Sequence, residues 1–365
     1  PLYSSAASDV YKRQGRNGDA LKELESTLKT LSDAALTSEA LAIMGRCQIA
    51  EKQMDKAARA FEQSLAAKPD RPQSDQTLLA LADVYRRLER TSDSVARLEQ
   101  LKREFPKSPL AEEATFRLGE AAYAQNAFDQ AINQYTVVVS TWPEGTFAPH
   151  AQYGLGWAYF KMQEFAKSVE AINTLADRYG KSELAPKGTY VRAMAQYQLG
   201  QFAAAVDDVR VFLSSNPPQK DELDAGYLLG LSCAAQQSFA EAAQAYTGIL
   251  AKDPMYADAD KVLYELGWAH SELTQKKESV SAFRRLGTEF PDSPLAAESW
   301  FRVGESCYDA GEYPEAVKAY SEAQAKAAAA ASQDIGEKAA HKRGWSFLKA
   351  NDFAEATGAF ESQLN

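Results

Sequence analysis

The sequence predicts an all-α repeat solenoid built from paired helices. Three observations carry this. Proline recurs on a fixed step, small residues recur on the same step, and a large apolar residue follows at constant distance. Pro69, Pro106, Pro143, Pro217, Pro254 and Pro291 are spaced 37, 37, 74, 37 and 37 residues apart, and the missing member falls on Gly180. One small column holds Gly45, Ala82, Gly119, Gly156, Ala193, Gly230, Gly267 and Gly304. A second holds Ala20, Ala57, Ser94, Ala131, Ser168, Ala205, Ala242, Ser279 and Ala316. Four residues after each of these stands a large one: Leu24, Phe61, Leu98, Tyr135, Ile172, Val209, Tyr246, Phe283 and Tyr320. After residue 328 the phase shifts by three, and Gly344, Ala356 and Phe360 resume the pattern.

Each unit reads as two helices. In the unit from 149, the run HAQYGLGWAYFK has helical apolar spacing. A short polar break, Met162 to Glu164, precedes Phe165. A second amphipathic run then carries Val169, Ile172, Leu175 and Ala176 on one stripe. Proline ends the second helix because it lacks an N–H and clashes with the preceding turn. Small residues allow the helices to cross closely, and stacked neighbours share the core that one hairpin cannot bury alone. Units are expected to start near 38, 75, 112, 149, 186, 223, 260, 297 and 337, about nine and a half in a single solenoid over 15–365.

Composition narrows the class. Of 365 residues, 45% are hydrophobic and 25% charged, which excludes a disordered or collagen-like chain. The formal net charge is −10, with both signs mixed along the chain, and this argues against a nucleic-acid partner. No run of about 18 apolar residues is present to span a membrane. Cys47, Cys233 and Cys307 form no C-x-x-C pair and are expected to be small buried residues. Ser4 to Gln14 breaks the pattern and reads like a translated sequencing-library adapter, so residues 1–14 are expected to lie outside the fold as an artefact. The alanine-rich stretch Ala323 to Ser332 reads as an extended second helix that absorbs the three-residue shift. The last stripe, Phe353, Ala356, Phe360 and Leu364, is followed by no polar cap, and truncation at both ends is expected.

The order L-G-x-x-Y, then F or Y, then A, then F or Y, then P resembles the tetratricopeptide repeat. Leu155, Gly156, Tyr159, Phe165, Ser168, Ile172 and Gly180 occupy those places in one unit, and Met44, Gly45, Ala57, Phe61 and Pro69 in another. The resemblance covers about residues 15 to 365 and implies a right-handed α-α superhelix. The joints FPKSPLAEE (105–113) and FPDSPLAAE (290–298) are similar to those of bacterial envelope members, the Tol–Pal-associated and outer-membrane assembly lipoprotein kinds. That similarity leans the expected location toward the bacterial periplasm or cell envelope.

In that family the first helix of each unit lines a concave groove. Tyr153, Trp157 and Phe160 share one helical face and would line it here. The corresponding residues include Tyr190, Met194 and Tyr197; Tyr227 and Leu231; and Tyr264 and Trp268. The leading positions, Phe116 to Phe301, form an aromatic column that can equally serve packing. The middle positions are more telling. The family is usually polar there, whereas this chain has Trp157, Met194, Leu231 and Trp268, flanked by Glu120 and Glu305. An apolar patch with a polar rim marks an interaction site. The lysines and asparagines of chaperone-tail-binding members are missing from these columns.

No phosphate-cradling, dinucleotide, metalloprotease or nucleophile-elbow motif occurs. His150, His270 and His341 lie in different units without metal-ligand spacing. No catalytic residue, metal ligand or cofactor is expected. The leading expectation is a non-enzymatic scaffold binding a protein or peptide with apolar or aromatic anchors. Two alternatives stand beside it: a structural arm that self-associates through uncapped ends, and the repeat arm of an enzyme whose catalytic domain lies outside this chain.

Overall fold

A computed structural model describes residues 17–329 and 333–364. The adapter-like segment 1–14 and the end of the alanine-rich stretch lie outside the described residues. Among those described there are nineteen α-helices and no strand. The chain forms two compact units, one ending at Val191 and one beginning at Arg192. The first holds α1 (Asn17–Leu28), α2 (Ala34–Ala50), α3 (Met54–Ala67), α4 (Ser74–Arg87), α5 (Thr91–Glu104), α6 (Ala111–Ala124), α7 (Phe128–Thr141), α8 (Ala148–Lys161), α9 (Phe165–Tyr179) and the start of α10 (Leu184–Gln198). The second holds the rest of α10, then α11 (Phe202–Ser214), α12 (Gln219–Ala235), α13 (Phe239–Lys252), α14 (Ala259–Glu272) and α15 (Lys276–Glu289). It continues through α16 (Ala296–Asp309), α17 (Tyr313–Ala329), α18 (Gln333–Lys349) and α19 (Phe353–Leu364). Even-numbered helices are the first of each pair and odd-numbered ones the second.

The two small columns have distinct jobs. Where the first column holds glycine, the large side chain of the second helix lies directly on it. A Cβ added at Gly267 would meet Cε1, Cζ and Cδ1 of Phe283 at 2.6, 2.7 and 2.8 Å. Phe61 covers Gly45, Tyr135 covers Gly119, Tyr246 covers Gly230 and Tyr320 covers Gly304 in the same way. The second column serves the hairpin from the other side. Where it holds serine, the hydroxyl reaches back to the first helix. Ser94 donates to the Ala82 carbonyl at 2.7 Å, Ser168 to Gly156 at 2.8 Å and Ser279 to Gly267 at 2.8 Å.

The turn inside each pair is a backbone device. Lys52, Glu89, Asn126, Gln163, Gly200, Gln237, Thr274 and Gly311 have positive φ, one every 37 residues, and Asn351 follows after the shift. In the α8–α9 turn, Gln163 N–H donates to the Phe160 carbonyl and Glu164 N–H to the Tyr159 carbonyl, both at 2.9 Å. This 5→2 and 6→1 pair is the Schellman arrangement, which satisfies carbonyls that a helix end leaves open. The polar breaks of the sequence are these turns.

The joints between pairs are clasped by acids. Asp75 accepts from the Ser108 hydroxyl and Asp260 from the Ser293 hydroxyl, each at 2.6 Å. The same serines accept from the backbone of Leu110 and Leu295 at 3.0 and 3.1 Å. The two F-P-x-S-P-L joints thus tie the start of one pair to the start of the next. In the first compact unit, Glu112 takes the Phe147 N–H at 2.6 Å for the same purpose.

α17 has 17 residues where α15 has 14, in line with the extended helix expected of the alanine run. Its Ala323 and Ala327 are buried. In α19, Ala356 is buried and Phe360 lies on Gly344, but Phe353 is 62% exposed and leaves the expected stripe. The three cysteines are buried. No helix of the described residues is long and apolar enough to cross a membrane.

Candidate functional site

The first-helix residues singled out from the sequence are half-buried. In the first compact unit, Tyr153, Trp157, Phe160 and Tyr190 all keep some surface. Tyr153 and Trp157 pack at the edge of a core cluster made by Ile172, Leu175, Leu184 and Val191. Their rings meet edge to face, with centroids 6.4 Å apart, and Trp157 meets Phe160 at 6.1 Å. In the second, Met194, Tyr197, Tyr227, Leu231, Tyr264 and Trp268 are likewise partly exposed. Tyr264 and Trp268 both pack on Phe283, at 5.8 and 6.0 Å. Tyr153, Trp157, Tyr227, Tyr264 and Trp268 thus pack against the core and keep some surface outside it. Phe116 and Phe301, the end members of the aromatic column, are buried.

Where the third position of a triplet is aromatic, it has a packing partner across the turn. Phe160 meets Phe165 at 5.5 Å, and Tyr197 meets Phe202 at 5.5 Å. Tyr123 with Phe128 and Tyr308 with Tyr313 repeat the contact. Each pair spans the tight turn and fixes the hairpin. Phe160 and Tyr197 therefore support structure whatever else they touch.

Electrostatics separates the carboxylates of this face. Glu305 is held by Arg302 at 2.9 Å and Lys342 at 3.5 Å. Crowding around the exposed Glu120 raises its carboxyl, and Arg117, Arg86 and His150 pull against the rise. Glu265 is different. Burial holds its carboxyl above the ordinary range. No hydrogen bond or ion pair among the described residues engages it. Its charge reaches Tyr197, Tyr227 and Tyr246. Burial is the main cause that raises these three phenols, and Glu265 adds to it. The Tyr246 hydroxyl is buried and has no hydrogen-bond partner.

Sequence reasoning passed over Glu265. A signal existed. One and two repeats earlier the same place holds Leu228 and Val191, both buried. One repeat later it holds Arg302, so Glu265 is an acid in a column that is otherwise apolar or basic around it.

The sign of the resulting pH effect follows. The Glu265 carboxyl holds its proton more tightly in the folded chain than in the unfolded one. The stability this contributes is full below the unfolded value and is lost as pH rises through the folded one. Glu265→Gln is therefore expected to melt higher than the wild type at pH 7, and the gap should close on acidification toward pH 4. Thermal unfolding at the two pH values checks this; a gap that widens on acidification contradicts it.

The histidines lie apart. His150 rests against Phe116, His270 Nδ1 lies in hydrogen-bond contact with Gln275 Oε1 at 2.6 Å, and His341 accepts from Trp345 Nε1 at 3.0 Å. Among the described residues no group of three His, Cys, Asp or Glu could hold a metal ion.

Family models match most of the chain in two parts. The tetratricopeptide repeat model matches residues 6–72 and 79–145, and the outer membrane lipoprotein model matches 164–303. The chain is a tetratricopeptide-repeat protein. It resembles the envelope lipoproteins of that superfamily. No curated protein matches this tetratricopeptide-repeat chain. Among solved structures it is similar to the C-terminal part of a TPR repeat-containing protein from Cytophaga hutchinsonii. The TM-score is 0.58 at 15% identity, over 71% of this chain and 99% of that one. It is also similar to the apo form of RapI, with a TM-score of 0.54 at 11% identity, over 90% of this chain and 96% of that one. At such identities the likeness speaks to the fold alone. Repeat fold and family matches together point to a protein-interaction scaffold, with the lipoprotein match pointing toward the cell envelope.

Proposed function

We propose that this tetratricopeptide-repeat protein is a non-catalytic scaffold that binds polypeptide on the faces of its first helices. One observation carries the reading: Trp157, Met194, Leu231 and Trp268 occupy the middle first-helix position in successive repeats, and none is fully buried. A half-buried ring gives an incoming chain a rigid apolar surface at little entropic cost, since the core side already fixes its rotamer. Tyr153, Tyr190, Tyr227 and Tyr264 flank these anchors with partly exposed rings and polar tips. Aromatic and methionine anchors inside a polar rim are what protein interfaces favour. The site of action we infer is the bacterial cell envelope, on the outer membrane lipoprotein match over 164–303.

The test is selection of displayed random dodecapeptides on the purified chain. Selected peptides are expected to carry an aromatic or large aliphatic anchor. Trp157→Ala combined with Trp268→Ala should weaken their binding by about ten-fold or more, as loss of hot-spot rings does. Equal affinity for the double variant would remove the first-helix face as the binding surface.

A further inference from the structure

We infer that the second compact unit grips one polypeptide segment at two places: Trp268 and Trp345 each take a large apolar side chain, and an uncharged stretch lies between them. This rests on the polypeptide-binding reading above, and adds an anchor and a spacing to it.

Trp345 lies beyond the three-residue shift, so the step of 37 does not reach it. The glycine contacts restore the register. Trp268 follows Gly267, which Phe283 covers, and Trp345 follows Gly344, which Phe360 covers. The surroundings agree ring for ring. Trp268 meets Phe283 at 6.0 Å and Tyr264 at 6.2 Å, and Tyr264 meets Phe283 at 5.8 Å. Trp345 meets Phe360 at 6.0 Å and His341 at 6.3 Å, and His341 meets Phe360 at 5.9 Å. All six contacts are edge to face. The Trp345 indole also donates to His341 Nε2 at 3.0 Å, which fixes its ring. Trp345 is 41% exposed, whereas Trp268 is half-buried. A ring held in place before binding loses little freedom when an apolar side chain covers it.

α16 joins the two rings. Its Arg302 lies 4.8 Å from the centroid of Trp268 and bonds Glu305 at 2.9 Å and Glu298 at 2.5 Å. Lys342 of α18, three residues before Trp345, meets Glu305 at 3.5 Å. A run of contacts thus leads from one tryptophan toward the other. Its two acids and two bases balance, and each has an opposite charge within the run. A charged residue laid over them would give up water and meet a like charge beside every opposite one, so an uncharged stretch is the complement. The rings at either end call for large apolar side chains. Helices in contact lie about 8–10 Å apart, so two repeats separate the rings by on the order of 20 Å. An extended chain rising about 3.3 Å per residue crosses that distance in about six residues. Two anchors on one segment bind more tightly than either alone, because the second engages at high effective concentration.

The experiment uses peptides with two tryptophans separated by two, six or twelve serine and glutamine residues, and a one-tryptophan control. Two further peptides carry glutamate or lysine at the centre of the six-residue spacer. Affinity is measured for the wild type, Trp268→Ala, Trp345→Ala and Trp345→Phe. On the wild type the six-residue peptide is expected to bind about ten-fold tighter than the one-tryptophan control and tighter than the two-residue peptide. Trp268→Ala and Trp345→Ala should each bring it down to the control, while Trp345→Phe keeps most of the gain. A central glutamate or lysine should weaken it. An affinity that Trp345→Ala leaves unchanged overturns the inference alone, since one-anchor binding persists and the scaffold reading stands. A central charge that leaves binding equal or stronger overturns it too. Should Trp345→Ala lose its fold by circular dichroism, the spacers on the wild type decide, and equal affinity at every spacing overturns the inference. Light scattering covers the other occupant: self-association of the wild type that Trp345→Phe retains and Trp345→Ala abolishes would put a second copy on this ring and overturn the inference. If no peptide binds the wild type, the scaffold reading fails and the inference falls with it.

Discussion

Gly267→Ala is expected to destabilise the second compact unit by about 2 kcal/mol, even though alanine is the better helix former by about 1 kcal/mol. The added Cβ would sit inside 3.0 Å of three ring atoms of Phe283, and that ring is 3% exposed and cannot swing away. The repeats themselves indicate the cure. In the same two columns Ala82 is matched with Leu98 and Ala193 with Val209, whereas the rings Phe61, Tyr135, Tyr246, Phe283 and Tyr320 lie on glycine, as does the aliphatic Ile172 on Gly156. Phe283→Leu alone removes buried ring volume and should cost about 1–2 kcal/mol. Combined with Gly267→Ala it should cost less than the sum of the two, by about 1 kcal/mol or more, because the smaller side chain accommodates the methyl. Denaturant unfolding of the wild type, both single variants and the double variant reads the coupling. Strictly additive losses would mean that the two columns are not partners.

The second large effect concerns a charge pair set into an apolar position. Arg192 donates through Nε and Nη2 to both carboxylate oxygens of Asp208, each at 2.6 Å. The aspartate is 7% exposed. Neighbouring repeats hold Leu155 with Ala171, Leu229 with Ala245 and Leu266 with Ala282 at these two places. Asp208→Ala removes the carboxylate that answers the guanidinium and is expected to cost roughly 3 kcal/mol. Arg192→Leu together with Asp208→Ala restores the apolar pattern and should match or exceed wild-type stability, as replacement of a buried pair by packed apolar groups often does. A double variant as unstable as Asp208→Ala would show that the pair is worth more than the packing that can replace it.

Both expectations rest on rules the sequence displays. The step of 37, the phase shift after 328, and the two small columns are visible in the chain because every repeat must solve the same packing problem. The pairing of glycine with rings, Gly156 with Ile172 excepted, and of alanine with Leu98 or Val209 is also written there, although the contacts on glycine are seen only in the fold. The positive-φ turns were legible only as polar breaks, since Lys52, Glu89, Gln163 and Thr274 have no strong preference for that backbone. Serine in the second small column gave no hint that its hydroxyl would find a carbonyl on the facing helix.

The candidate face shows the division most sharply. The sequence alone determined the fold class, the register, and which side chains stand on the first-helix stripe. A fixed period assigns each residue to a face before any coordinate is known. Only the tertiary structure decided how deep each one lies. Phe116 and Phe301 went into the core, Trp157 and Trp268 stayed at its edge, and Phe160 and Tyr197 were drawn onto the hairpin turn. It also decided which acids are answered. Glu305 has Arg302 and Lys342, while burial raises the Glu265 carboxyl. Period fixes direction along one helix; depth and charge balance depend on what neighbouring helices bring to the same point in space.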